Sequence, residues 1–188
     1  MKILLASAAL LMTGESVTTI GDFTYHESKD PLSDNLIVGI IASNADANVI
    51  IGCDHDRGKS VFVSLEARRF LTRSVVDSSP GPSGNALADM ATVLGSITGD
   101  TFQYRIDRGE SHNARAVYTG VQTAFIEGRD ARALAERLAE GQGVFIRLDG
   151  ANGYIDVRYN IAGIRPLLER VAEKCGDRRL KNRLSRRQ

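Results

Sequence analysis

The sequence predicts an α+β protein: a mostly antiparallel β-sheet or sandwich with two to three packed helices. Three observations carry this. Short apolar or alternating runs recur between turn-forming clusters, as hairpin strands do. Two longer segments, 131–140 and 166–175, instead repeat their apolar residues at helical spacing. Strands follow strands without the strict alternation with helices that a doubly wound nucleotide-binding fold requires.

The elements follow in order. Phe23, Thr24 and Tyr25 form a short β-type stretch. The apolar run 36–41, with Gly39 inside it, reads as a strand buried on both faces. Turns at 44–48 and 54–59 bracket a strand over 49–53, and 61–65 supplies its hairpin partner. Residues 78–84, rich in Ser, Pro and Gly, make the clearest loop. Asn85 then caps a short helix carrying Leu87, Met90, Ala91 and Leu94. In 101–107, Phe102, Tyr104 and Ile106 share one strand face, and Gln103, Arg105 and Asp107 the other. A partner strand follows over 114–119. Asp130 is the expected N-cap of the helix 131–140, whose apolar stripe is Ala131, Leu134, Ala135 and Leu138. Strand 144–148 and the tight turn 149–153 lead to 155–161. There Ile155, Val157, Tyr159 and Ile161 face the core while Asp156, Arg158 and Asn160 face water. Pro166 suits the first turn of the last helix. Leu167, Leu168, Val171, Ala172 and Cys175 share one side of it.

The 188 residues, 43% hydrophobic and 25% charged, suffice for one domain with a core. The expected division is a signal peptide over 1–19, a β-rich domain over 20–177 and a basic, disordered tail over 178–188. The leader reading rests on Lys2 followed by the apolar run 3–12, the length of a signal-peptide core and too short to span a bilayer. The competing reading is a buried strand or helix of a cytosolic protein. Cys53 and Cys175 are the only cysteines. After export they are expected to pair; in the cytosol they would be buried thiols. The tail holds six of the Lys and Arg residues, leaving 18 basic and 23 acidic residues elsewhere. Leu180 and Leu184 are its only apolar residues, too few for a membrane-binding helix. It reads as a solvated terminus, so neither nucleic acid nor a transmembrane segment after leader removal is expected.

Motifs for chemistry are sparse. Arg57-Gly58-Lys59-Ser60 lacks the earlier glycine and the following helix of a phosphate-binding loop. Asp54, His55 and Asp56 read as a polar hairpin turn without the spacing of a calcium loop. No catalytic residue, metal ligand or cofactor is assigned. Arg105 and Asp107, projecting from one strand face, either form ion pairs within the sheet or present a polar recognition surface. Ser28, Asp30, Ser33 and Asp34 surround Pro31, where their oxygens are suited to bond nearby backbone amides.

In order along the chain stand a Ser-x-Asp-x-x-x-Asp turn (Ser28, Asp30, Asp34), a strand ending in Cys53, and the strand Tyr104-Arg105-Ile106-Asp107. A helix, two strands, Gly163 and a helix ending in Cys175 complete the pattern. From about Phe23 to Cys175 this resembles the exported VasI/TagO proteins associated with bacterial type VI secretion, and their relatives. The resemblance implies a periplasmic or secreted accessory module with an envelope protein as partner, and Ser28, Asp30, Asp34, Arg105 and Asp107 as recognition candidates. The alternative is an envelope hydrolase or metal-dependent enzyme drawing on Asp54, His55, Asp56, or Arg105 with Asp107.

Overall fold

The alternation in 155–161 is realised residue by residue: Ile155, Val157, Tyr159 and Ile161 are buried, and Asp156, Arg158 and Asn160 are exposed. The computed structural model describes residues 17–29, 34–54, 60–68, 98–118, 122–150 and 153–186. Within them lie β1 (Thr18–Ile20), β2 (Phe23–Lys29), β3 (Leu36–Ser43), β4 (Ala47–Asp54), β5 (Phe62–Ala67), β6 (Thr98–Ile106) and β7 (Ser111–Tyr118). These are followed by β8 (Thr123–Ile126), α1 (Gly128–Leu138), β9 (Gly143–Gly150), β10 (Gly153–Asn160), α2 (Arg165–Lys174) and α3 (Arg178–Ser185). The strands form one ten-stranded sheet in the order β1-β2-β3-β4-β5-β8-β7-β6-β9-β10, and every neighbouring pair is antiparallel. The α+β, mostly antiparallel architecture expected from the sequence is the one observed.

Period-two alternation gives this sheet one apolar face. Val38, Ile40 and Ala42 of β3, Val49, Ile51 and Cys53 of β4, and Val144, Ile146 and Leu148 of β9 all enter one core. The apolar stripes of α1, α2 and α3 join the same core. Gly52 lies opposite Gly39 across β3 and β4. A Cβ on Gly52 would run into the carbonyl oxygen of Val38, so these two backbones approach more closely than side chains would allow. The sheet curls until its ends touch. The Asp22 amide donates to the Asn160 carbonyl at 3.0 Å, and the Asn160 amide to Asp22 Oδ2 at 2.6 Å. Inside, the Tyr159 hydroxyl donates to the Ala47 carbonyl at 2.8 Å, tying β10 to β4 through the core.

Cys53 and Cys175 form a disulfide that joins β4 to the end of α2, with Cα atoms 5.8 Å apart and 122 residues between them in sequence. Both cysteines are fully buried. Among the described residues no helix is long and apolar enough to cross a membrane.

Four expectations change. Residues 178–185 are helical rather than disordered. Leu180 and Leu184 are buried, and Asp177 Oδ1 accepts the Leu180 amide at 3.1 Å as an N-cap. Two leucines four apart cover one stripe, and a capped helix end supplies the order that composition alone did not suggest. Second, the short strand β1, not expected from the sequence, pairs with β2 through Thr18, Thr19 and Ile20. Third, Asp130 lies inside the first turn of α1 rather than at its N-cap, and its carboxylate accepts the Arg115 amide of β7 at 3.3 Å. Fourth, β8, absent from the sequence reading, bridges β5 and β7. The helix begun at Asn85, the loop 78–84, most of 66–99 and most of the leader lie outside the described residues.

Candidate functional site

The side of β6, β9 and β10 that faces away from the core carries a cluster of cations around one ring. Strand register sets Arg105 opposite Phe145, and Phe145 opposite Arg158. The neighbouring row is Gln103, Arg147 and Asp156. Because side chains alternate, both rows project from the same face. The guanidinium carbons of Arg105, Arg147 and Arg158 lie 5.6, 5.6 and 5.4 Å from the Phe145 centroid. Arg147 also lies 4.8 Å from the Tyr154 ring.

The three cations are not equivalent. Arg147 donates from Nε and Nη2 to the two oxygens of Asp156, each at 2.7 Å. This bidentate pair, with help from the nearby positive charge of Arg158, holds the Asp156 carboxyl below the usual carboxylate range against the opposing effect of burial. Arg105 and Arg158 form no ion pair among the described residues. Among the described residues, the face therefore carries two arginines without an ion pair, on either side of an aromatic floor. A shallow groove of about 350 Å³ runs over it, lined by Arg105, Ser111, Phe145, Arg147 and Arg158 among others. An adjoining groove of about 240 Å³ shares Arg105, Phe145 and Arg158 and reaches Asp107. Planar guanidiniums grip carboxylates and phosphates through paired N–H donors, and a ring beneath them offers apolar contact. This is anion-binding geometry on an open surface.

The residues singled out in sequence fall in different places. Arg105 lies in the cluster. Asp107 lines the adjoining groove, but its Oδ1 accepts the amides of Gln142 at 3.0 Å and Gly143 at 2.7 Å. It thereby fastens the turn after α1 to the end of β6. Ser28 lies exposed on β2 and Asp34 precedes β3 with φ 57°, both in the first strands of the sheet order rather than beside β6. Asp30, His55 and Asp56 lie outside the described residues. Cys53 and Cys175 are brought together in the disulfide. Phe145, Arg147, Asp156, Arg158 and Tyr154 were not singled out. The only available signal was the water-facing parity of Asp156 and Arg158, because the pairing of β6 with β9 cannot be read from either strand alone. Among the described residues no group of three His, Cys, Asp or Glu side chains is placed to hold a metal ion.

The chain matches no protein-family model, no curated protein and no solved structure.

Proposed function

We propose that this protein is an exported accessory or binding module of the cell envelope, periplasmic or secreted, whose Arg105–Phe145–Arg158 face engages an anionic surface of a partner protein. The observation that carries the binding reading is the pair of arginines that, among the described residues, form no ion pair over an exposed groove. Two like charges held around one ring repel each other, and an incoming carboxylate relieves that repulsion. The compartment reading draws on the buried disulfide, since such bonds persist where the surroundings are oxidising. The leader-like N-terminus and the resemblance to proteins of type VI secretion point the same way.

The test combines Arg105→Glu with Arg158→Glu in cells making the full chain. Cross-linking in the envelope fraction should recover a partner with the wild-type protein and at least about tenfold less with the double variant, as expected when charges at a binding face are reversed. Equal recovery would reject the face. Measured turnover of an envelope substrate by the wild-type protein, with no partner recovered, would reject the module reading. Intact mass without reductant should show a shortened N-terminus and two fewer hydrogens than the dithiol; a full-length dithiol chain would overturn the compartment.

A further inference from the structure

We infer that β10 is a docking edge, to which an extended segment of the partner, alternating acidic with apolar residues, adds as a further strand. This rests on the binding reading above and specifies its mode. β10 ends the sheet order, so among the described residues one side of its backbone has no neighbouring strand. The direction of each backbone group follows from its neighbours. Ile161 donates its amide toward the β9 side, to the Gln142 carbonyl, whereas Asn160 exchanges its backbone bonds with Asp22 on the opposite side. Main-chain groups alternate along a strand. Those of Tyr154, Asp156 and Arg158 therefore point away from β9, toward the open edge. Among the described residues, the hydrogen bonds joining the two sheet ends are those between Asp22 and Asn160. From that contact, among the described residues, the edge runs unpaired back to Tyr154, a residue 66% exposed.

Charge selects the occupant. The residues whose backbone faces the edge are also those whose side chains lie on the arginine face. A strand added beside β10 would set its outward side chains about 5 Å from those of Tyr154, Asp156 and Arg158. Arg158 forms no ion pair among the described residues, and Arg105 lies beyond Phe145 on the same row. Asp156 is already neutralised by Arg147, so it offers little repulsion. A glutamate or aspartate at these positions gains an ion pair. The intervening side chains would turn to the core side, next to Ile155 and Val157, where apolar residues are favoured.

The probe is a blocked octapeptide of alternating glutamate and valine, with a lysine-for-glutamate version as control. The glutamate peptide should bind at low salt, weaken as salt rises, and weaken about tenfold on Arg158→Glu. Asp156→Pro removes one edge amide without touching the ladder to β9 and should abolish binding. If that variant does not fold, hydrogen exchange of the wild-type chain decides. The amides of Tyr154, Asp156 and Arg158 should exchange freely alone and become protected with peptide. Binding without this protection would overturn strand addition and leave a face-on anion site. Equal binding of the lysine peptide would overturn the charge argument. A dimer abolished by Asp156→Pro would assign the edge to a second copy and overturn a foreign occupant. No peptide binding, with partner recovery still dependent on Arg105 and Arg158, would defeat this inference and spare the module reading.

Discussion

Arg105 and Asp107 stand two residues apart and do different work. Arg105 leans over Phe145 on an open face, while Asp107 adopts φ 52° past the end of β6 and spends its carboxylate on two amides of the next turn. Sequence parity put them on one face; the backbone turn after Ile106 separated their roles. Gly21 is the residue where the closure of the sheet is most sensitive. Its φ is +60°, and a Cβ there would lie 2.5 Å from the Asn160 carbonyl oxygen. Gly21→Ala is therefore expected to destabilise the fold by about 2–3 kcal/mol, from a left-handed backbone and a backbone clash together. Urea unfolding followed by circular dichroism measures this, and an unchanged midpoint would contradict the tight contact of the two sheet ends. Nothing in the local sequence marks this position beyond a glycine before Asp22, because the clash comes from Asn160, far away along the chain.

At the scale of elements, α3 is the instructive case. Its basic sequence predicts a solvated terminus, yet Leu180 and Leu184 are buried and Arg165 donates to the Leu184 carbonyl at 2.7 Å. The start of α3 is held by Asp177, which is nearly buried and paired with Arg132 of α1 at 2.7 Å. Arg132 also donates to the Ser60 hydroxyl at 3.2 Å, so one guanidinium joins α1, α3 and the approach to β5. Burial raises the Asp177 carboxyl, but amide bonds from Leu180 and Val61 and the pairing with Arg132 more than offset this, leaving its pKa below the ordinary value. A lowered folded pKa means a contribution to stability that is complete above the unfolded value of about 3.9 and is lost as pH falls through the folded value. Asp177→Asn keeps a capping oxygen and removes the charge. It should cost about 2–3 kcal/mol at neutral pH and flatten the acid-side loss of stability. Thermal melts of both proteins between neutral pH and acid pH measure this; parallel curves would remove Asp177 from the acid response. The strongly periodic elements β10 and α2 were legible because burial follows their own periodicity. The four-residue β8 was not, because so short a run carries too little pattern to distinguish it from a loop.

At the scale of the whole molecule, the curled sheet and the three helices of the described residues are closed by one covalent bond spanning 122 residues. Closing so long a loop stabilises the fold by about 4–5 kcal/mol in the chain-entropy picture, and somewhat less once native geometry is included. Replacing both cysteines by alanine is expected to cost about 2–5 kcal/mol in unfolding experiments without reductant. Because both sulfurs are fully buried, the wild-type bond should resist dithiothreitol under native conditions and yield in urea near the transition. Rapid reduction of the folded protein would show that the region around α2 opens readily.

By itself the sequence determined the α+β class and the inward faces of β10 and α2, and it left the two cysteines as either a covalent link or buried thiols, which the structure decided as a disulfide. Each depends on residue type and spacing within a segment. Only the tertiary structure decided that Arg105, Phe145 and Arg158 share a row, that the sheet ends meet at Asp22 and Asn160, and that the basic C-terminal segment is an anchored helix. The reason is that strand order and register are properties of pairs of segments. A side chain's neighbours across a sheet are chosen by which strands pair, and no single segment carries that information.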